Sequence, residues 1–395
     1  MSTVSDARRS TPAVAEPLSR ARLAVETAAH HAADVDRNAR FPAEAIAALR
    51  EQRLLSACAP VEVGGDGAAL GKLTAIAEVL AGACSSTAMI WAMHQIQLAC
   101  LVQYGDTPEL RRFTRRACAE QLLLASATSE VGTGGDLRSS IATLEPGDVG
   151  STVDKKASTI SYGAYSDGIL ATVRSGPDSA PNDQVLVLVL NHQAELEQLS
   201  EWDALGMRGT CSAGFRLRAP VSDGHVLPTP FERIANRTMV PYSHLLWAAC
   251  WLGIAGSALG RARNLLRERT RRDSSGSAVA LTRLAQATAR LGAARSATTS
   301  AAAFFDRMDT PEDADAWATA IEINEVKYIA SQTAVETTLE ALAICGFPGY
   351  LEHGRYSVAR HMRDVLSGPL MISNDRLLVT NGGLLLSIKD NRRPW

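Results

Sequence analysis

Three side chains in this 395-residue chain are candidates for proton transfer in an apolar setting. Asp375 precedes the stretch "RLLVTNGGLLL", where a carboxylate either takes a proton or caps the helix that follows. His244 opens the longest apolar run, and an imidazole titrates near neutral pH, although packing accounts for this histidine as well. His94 lies within "WAMHQIQLAC", an apolar helical stretch, and we expect it to be structural.

A run of small residues, "VGTGGD" (131–136), is a second candidate site. Because few side chains stand in the way, the backbone N–H groups of such a run can converge on an anion or on the edge of a ring. The alternative is a glycine-rich turn that binds nothing. The histidines at 30, 31, 353 and 361 lack the spacing of metal ligands on one helix face, so we expect no metal.

Composition excludes several classes of protein. The formal net charge is −2 and 46% of the residues are hydrophobic, so neither nucleic-acid binding nor an acidic tail is indicated. The seven cysteines show no paired spacing, which is typical of reduced thiols in a cytoplasmic protein. The longest apolar run, residues 245–260, is short for a membrane span and predicts a buried helix.

Residue composition and hydrophobic periodicity divide the chain into a leader and three regions. Residues 1–17 are polar and indicate a mobile leader. Residues 18–120 have helical periodicity, residues 121–235 consist of short β-branched segments between turn residues, and residues 236–395 return to long alanine-rich helices. The predicted fold is therefore α+β and multidomain, with a helical domain, a β domain and an antiparallel helical bundle.

Four stretches, in this order, resemble motifs of the acyl-CoA dehydrogenase superfamily of flavoenzymes. They are "SATSEVGTGGD" (126–136), "WDALGMRGTCSAGFRL" (202–217), "AICGFPGY" (343–350) and "RHMRD" (360–364). The resemblance covers roughly residues 20–385. It implies an N-terminal helical domain, a middle β-barrel domain and a C-terminal four-helix bundle, with FAD as cofactor and FMN as the alternative.

The resemblance also assigns residues to the flavin. It implies that Thr128 and Ser129 lie beside the isoalloxazine ring, that Gly135 approaches the pyrophosphate, and that Ser161 lies near flavin N5. At the other end of the cofactor, it implies that Arg269 reaches the pyrophosphate of a neighbouring subunit and that Gly346 belongs to the same binding segment.

This chain departs from the family pattern near the flavin. Thr159 replaces an aromatic residue that shields one flavin face, so Tyr162 or Tyr165 would have to compensate, unless both simply pack in the sheet. Arg272 follows the Arg269 helix end where the family has an aromatic residue and a glycine, and Ala343 replaces a glutamine. These two departures are the reason why FMN stays open as the cofactor.

The dehydrogenases of this family remove an α-proton from an acyl thioester with a glutamate, while hydride leaves the β-carbon for the flavin. That glutamate lies eight residues past the aspartate of the "RD" pair, and counting from Asp364 gives Ile372. The family's alternative position, on a helix, gives Ser243. Neither side chain can act as the base, so Asp375 and His244 are the candidates, while the Ile372 backbone N–H can still polarise a carbonyl.

Three functions compete. The leading prediction is α,β-dehydrogenation of an acyl thioester, on coenzyme A or a carrier protein, with a non-standard base and a separate electron acceptor. The second is a flavin-dependent monooxygenase, supplied by a flavin reductase, that hydroxylates nitrogen, sulfur or an aromatic ring; "GTCS" (209–212) resembles such enzymes as much as dehydrogenases. The third is a catalytically silent flavin-binding subunit. The very apolar bundle helices predict a homodimer or homotetramer.

Overall fold

A computed structural model describes residues 16–147, 150–272, 277–308 and 316–387 of the protein. The predicted leader, residues 1–17, lies outside the described residues apart from its last two. The first helix begins at Pro17, where a missing N–H costs nothing because that position has no partner inside the helix.

Five helices, α1 to α5, form the first part of the fold. Their bounds are Pro17–Arg37, Ala43–Glu51, Leu70–Ala83, Ser85–Tyr104 and Pro108–Glu120. α4 is apolar on all sides and buried along most of its length, as expected of a helix surrounded by other elements.

His94 in α4 is part of the core. Its Nδ1 accepts the Leu124 N–H at 3.0 Å, so Nε2 carries the proton and donates to the Leu55 carbonyl at 2.6 Å. Burial lowers the pKa of His94 to about 4, which keeps the ring neutral and this tautomer fixed. These contacts join α4 to the backbone at Leu55 and Leu124 and agree with a structural role.

Seven strands follow. Their bounds are Leu124–Ala127 (β1), Leu144–Pro146 (β2), Ser151–Ala157 (β3), Gly168–Arg174 (β4), Gln184–Leu190 (β5), Glu195–Gln198 (β6) and Phe215–Val221 (β7). They form a three-stranded sheet in the order β1-β4-β5, with β1 and β4 parallel, and a four-stranded sheet in the order β2-β3-β7-β6.

The two sheets make up the middle sheet domain that the resemblance implies. The contact between them near β2 is a single bridge from Thr143 to Arg174. Because β2 is only three residues long, it cannot carry a continuous ladder from one sheet to the other. The described middle region is therefore a pair of sheets.

Eight helices complete the described fold. Their bounds are Phe231–Ile234 (α6), Val240–Arg272 (α7), Ala278–Asp306 (α8), Ala316–Cys345 (α9), Phe347–Tyr350 (α10), Ala359–Val365 (α11), Ser367–Leu370 (α12) and Asn374–Leu385 (α13). The long helices α7, α8, α9 and α13 form a bundle, and α7 lies between α9 and α3 of the first region.

Among the described residues, the helix that contains α7 is the one that is long enough and, over one window, apolar enough to cross a membrane by length and composition alone. With α6 and the π-helical turn Ala235–Met239 it runs from Phe231 to Arg272, and 72% of its most apolar window is buried inside the protein. Gly253 allows it to approach α3, because a Cβ at this position would overlap the Glu78 carbonyl. The prediction of a buried helix over residues 245–260 is confirmed.

A buried ion pair supports the segment that follows β1. The Glu130 carboxylate accepts the Ile141 and Ala142 N–H groups at 3.0 and 2.7 Å and the Lys155 ammonium at 3.1 Å. Lys155 also donates to the Thr172 carbonyl at 2.8 Å, and burial lowers the pKa of Lys155. The pair therefore closes the loop between residues 130 and 142 onto strands β3 and β4.

We expect Glu130→Ala to lower the free energy of unfolding by roughly 3–5 kcal/mol, because it leaves the Lys155 ammonium buried without a carboxylate. Urea denaturation followed by tryptophan fluorescence measures this loss. The double variant Glu130→Met/Lys155→Met replaces both charges by apolar groups of similar volume, and it should recover at least half of the loss. Equal destabilisation in both variants would contradict a charge-based role.

Candidate functional site

The residues predicted to contact the flavin ring lie together at the carboxyl end of β1. Thr128 follows the strand directly and is half-buried, with the Ser126 hydroxyl 3.4 Å from its own. The Ser129 hydroxyl donates to the Thr159 carbonyl at 2.9 Å and accepts the Thr159 N–H at 3.2 Å. The structure thus brings Thr159, the residue in place of the family's aromatic, against Ser129.

The glycine-rich run that follows is held by the C-terminal helix. Arg376, in the first turn of α13, donates to the Gly135 carbonyl at 2.7 Å and to the Gly134 carbonyl at 2.9 Å. Both glycines have positive φ, and a Cβ at Gly134 would meet no atom within 4 Å. The run therefore has a defined shape and open space on one side.

Ser161 is the first of three linked hydroxyl groups. Its Oγ lies 2.8 Å from the Ser212 Oγ, which lies 2.8 Å from the Thr210 Oγ1. The Thr210 hydroxyl donates to the Met207 carbonyl at 2.8 Å. Segment 160–162 is thereby joined to segment 207–213, which lies within the family-like stretch 202–217.

The backbone around these hydroxyls is strained. Tyr162, Met207 and Cys211 all have left-handed φ values, of 44°, 51° and 46°. Such conformations cost of order 1–3 kcal/mol each in non-glycine residues and are typical of functional sites. The surrounding contacts must therefore fix this geometry.

Neither tyrosine is placed to be a free shield for a cofactor. The Tyr162 ring is buried in the core and its hydroxyl donates to the Leu124 carbonyl at 2.9 Å. Tyr165 is half exposed and stacks on Phe41, with ring centroids 4.3 Å apart. Both side chains are committed to packing.

The donor set at the end of β1 fits a flavin ring. A flavin ring presents carbonyl oxygens and nitrogens along one edge, and the groups gathered here are hydroxyls and backbone amides. The Thr128 and Ser161 side chains are half-buried, and a Cβ at Gly134 would meet no atom within 4 Å. Thr128, Ser129 and Ser161 are the residues that would hold the ring.

Arg269 and Gly346 form a separate pair. The Arg269 guanidinium, near the end of α7, donates to the Cys345 carbonyl at 3.4 Å, directly before Gly346. Gly346 has a φ of +62° and precedes α10. Arg269 is otherwise exposed, so its remaining donors are free to meet an anion from outside this subunit.

The loop expected to carry the base is fixed by a buried lysine. Lys327 of α9 is fully buried, and its ammonium donates to the Gly368 carbonyl at 2.9 Å, to the Ile372 carbonyl at 2.6 Å and to the Asn374 Oδ1 at 2.7 Å. Burial lowers the pKa of Lys327 to about 8. Since an ammonium has three hydrogens, this one has none to spare.

Close packing holds the same loop on its other side. Trp251 of α7 donates from its indole nitrogen to the Ser367 hydroxyl at 3.1 Å, and the Lys327 ammonium lies 5.4 Å from the centre of a Trp251 ring. A Cβ at Gly368 would lie 3.1 Å from the Ser331 Cβ and 3.3 Å from the Trp251 ring. The loop is thus wedged between α7 and α9.

Ile372 occupies the expected base position in an unusual conformation. Its φ is +52°, which is unfavourable for a β-branched residue. The Lys327 contact to its carbonyl holds it there. Residues 367–374, "SGPLMISN", contain no carboxylate.

The structure does not bring Asp375 into the loop's interior. Asp375 is exposed in the first turn of α13, and the helix cap is Ser373, whose hydroxyl accepts the Arg376 N–H at 3.5 Å. The expectation that Asp375 caps this helix is therefore wrong by two residues. An exposed carboxylate beside Arg376 has no feature of a base directed at a buried substrate.

His244 lies in the core between α7 and α9, and the Ser243 hydroxyl donates back to the Met239 carbonyl at 2.5 Å. Burial, and to a lesser extent the nearby Lys327 ammonium, lowers the pKa of His244 to about 3. A group with so low a pKa binds a proton weakly at neutral pH. His244 is therefore a poor general base in this geometry.

Three residues that hold the site together were not singled out from the sequence. Lys327 fixes the C-terminal loop, Arg376 fixes the glycine-rich run, and Ser212 joins Ser161 to Thr210. A lysine inside an otherwise apolar helical stretch, "EVKYIAS", was the one available signal, because lysine is rarely buried without partners.

Two family descriptions match the chain. "Acyl-CoA dehydrogenase, N-terminal domain" matches residues 19–121, and "Acyl-CoA dehydrogenase, C-terminal domain" matches residues 234–371. Together they cover more than half of the chain.

Curated relatives have different activities. The chain is 24% identical over 381 residues to cyclohex-1-ene-1-carbonyl-CoA dehydrogenase of Syntrophus aciditrophicus (strain SB), covering 92% of this chain and 87% of that relative. It is 28% identical over 242 residues to L-evernosamine nitrososynthase of a Micromonospora species, covering 58% of this chain and 55% of that relative.

A solved structure has the same fold over nearly its whole length. FMN-bound TdsC from Paenibacillus sp. A11-2 superimposes with a TM-score of 0.83 at 19% identity, covering 96% of this chain and 99% of TdsC. The helices, paired sheets and bundle described above are thus a known arrangement. With both family matches and this geometry, the chain belongs to the acyl-CoA dehydrogenase superfamily of flavoenzymes.

Proposed function

We propose that this protein is a flavin-dependent monooxygenase that oxidises a small molecule at nitrogen, sulfur or an aromatic carbon. The observation that carries the proposal is the loop 367–374, which has isoleucine at the base position and no carboxylate. The Ile372 backbone is held in place by Lys327, so a shift of the loop toward Asp375 would break a buried contact. Oxygenation of an electron-rich atom needs no base for an α-proton.

The proposed reaction divides the work between flavin and protein. Reduced flavin supplies two electrons, with which one oxygen atom of O₂ goes to the substrate and the other leaves as water. Thr128, Ser129 and Ser161 bind and orient the ring, while the Lys327-held loop and α7 exclude water from the substrate side. TdsC is a dibenzothiophene monooxygenase, and this similarity of fold supports the proposal.

The second candidate is α,β-dehydrogenation of an acyl thioester. It is favoured by the similarity to a cyclohexene-carbonyl-CoA dehydrogenase over most of both chains. The Ile372 N–H is a backbone group and can polarise a thioester carbonyl whatever the side chain. What this candidate lacks is a base, since Asp375 is exposed and His244 has a strongly lowered pKa.

We further propose FMN as the flavin and a separate flavin reductase as the electron donor. Arg272 and Ala343 depart from the family at the two segments that the resemblance assigns to the far half of FAD. FMN lacks that half, and the similar TdsC binds FMN.

The protein is proposed to work in the cytoplasm as a homodimer or homotetramer. All seven cysteines are free, as expected of a reducing compartment.

Within the described residues α7 buries most of its apolar surface in its own subunit, whereas α8 buries only six residues. The apolar side chains of Val379 and Leu386 on and beside α13 are 77% and 91% exposed and are the surface that a second copy would cover.

Incorporation of labelled oxygen into the product tests the proposed function. FMN-loaded protein with NADH and a flavin reductase should transfer one atom of ¹⁸O from ¹⁸O₂ to substrates of a panel that includes indole, thiophenes and amines, detected by mass spectrometry. We expect acyl thioesters to receive none. Unlabelled, desaturated thioester as the only product would contradict the proposal and favour the second candidate.

Lys327→Met is expected to lower turnover by about 10- to 100-fold while flavin binding is retained, because misplacement of the loop by about 1 Å is costly. In the same variant, hydrogen exchange of the backbone amides at residues 367–374 should become at least tenfold faster. Mass spectrometry of this peptide measures the change without any substrate.

Arg283→Met is the matched control for Lys327→Met. Arg283 of α8 forms an exposed ion pair with Glu340 of α9 at 2.8 Å, so its loss removes a cation that contacts α9 without touching the loop. Exchange at residues 367–374 should not change in this control. Unchanged exchange in a folded Lys327→Met protein would show that the lysine does not hold the loop.

A further inference from the structure

The hydrogens of the three linked hydroxyl groups strongly favour one direction. A carbonyl oxygen can only accept a hydrogen bond, so the Thr210 hydroxyl gives its single hydrogen to the Met207 carbonyl, 2.8 Å away. The hydrogen between Thr210 and Ser212 must then come from Ser212. Since the Ser212 hydrogen is used, the hydrogen between Ser161 and Ser212 must come from Ser161.

The reverse direction would place two oxygen lone pairs against each other. If Ser161 pointed its hydrogen outward, Ser212 would donate to Ser161 and Thr210 to Ser212. The Thr210 oxygen and the Met207 carbonyl oxygen would then face each other at 2.8 Å with no hydrogen between them. A contact of that kind is repulsive, so the first direction is strongly favoured.

Backbone hydrogen bonds fix the positions of the segments that carry the three hydroxyls. The Tyr162 N–H donates to the Thr210 carbonyl at 2.8 Å, and the Ile160 N–H donates to the Ala213 carbonyl at 2.9 Å. Thr210 and Ser212 are buried, with 2% and 6% of their surface exposed. Both ends of the hydroxyl chain are thus attached to paired backbone segments.

We propose that Ser161 presents a lone pair, and not a hydrogen, to the bound flavin, and that the site therefore prefers reduced over oxidised flavin. Two-electron reduction adds hydrogen to ring nitrogens of a flavin, which turns an acceptor into a donor. A hydroxyl that can only accept matches the reduced ring and leaves the oxidised ring without a donor. This inference rests on the proposed function, in which reduced flavin arrives from a reductase.

The test compares the dissociation constants of oxidised and reduced FMN, the latter under anaerobic conditions. Ser212→Ala removes the acceptor of the Ser161 hydrogen and lets Ser161 donate to the flavin. We expect wild type to bind reduced FMN more tightly, and Ser212→Ala to lower that preference about tenfold. The midpoint potential of bound FMN should fall accordingly, by about 30 mV for a two-electron couple.

Two further variants keep the test decisive. Ser166→Ala removes a nearby buried hydroxyl that does not belong to the chain of three and that donates to the Gly163 carbonyl at 2.9 Å. The preference of this variant for reduced over oxidised FMN should match that of wild type. If Ser212→Ala does not fold, Thr210→Val removes the link to Met207 and should shift the preference in the same direction.

Two results would overturn the inference. A preference within twofold of wild type in folded Ser212→Ala and Thr210→Val proteins would show that hydroxyl direction does not matter. Unchanged affinity for both flavin states in Ser161→Ala would show that the ring does not lie against Ser161. Neither result depends on turnover, so failure of the monooxygenase proposal itself is recognised separately, from the absence of ¹⁸O transfer.

Discussion

A single buried ammonium group organises the C-terminal half of the candidate site. Lys327 loses its hydration in the core, and burying a cation without partners would be prohibitive. Two backbone carbonyls and the Asn374 amide oxygen replace the water, and all three belong to the segment 368–374. A buried ammonium hydrogen without an acceptor is costly in free energy. The segment 368–374 therefore has little freedom to adopt another conformation.

This constraint decides what chemistry the loop can do. The chain has isoleucine where the family's dehydrogenases have their base, and the lysine fixes that residue with a left-handed φ of +52°. The next carboxylate, Asp375, is carried outward in the first turn of α13. Arg376, in the same turn, donates to the Gly134 and Gly135 carbonyls of the glycine-rich run. These hydrogen bonds fix the loop relative to the proposed flavin site.

The order of structural regions could be predicted from the sequence because it depends on local patterns. Helical periodicity, β-branched segments and the buried α7 helix are properties of short windows, and the glycine-rich run after β1 is visible as a motif. The strand order within the two sheets is not local, because it pairs strands that are far apart in the chain, and the sequence alone did not predict it.

The supporting contacts of the site could not be predicted for the same reason. Lys327 and Ile372 are 45 residues apart, Ser161 and Ser212 are 51 apart, and Gly135 and Arg376 are 241 apart. Nothing in a single sequence pairs such residues. The missing base was predictable, since Ile372 follows from counting, whereas the exposure of Asp375 and the low pKa of His244 required the fold.

The central claim is that this site lacks a base for α-proton removal. The most direct measurement is the absorbance of the flavin-loaded protein while short and medium acyl thioesters are added without oxygen, in wild type and in Ile372→Glu. The account predicts that the oxidised flavin band of wild type persists, and that bleaching occurs only when the glutamate is restored and the thioester can bind. Rapid bleaching in wild type would contradict the account, because a base would then be present.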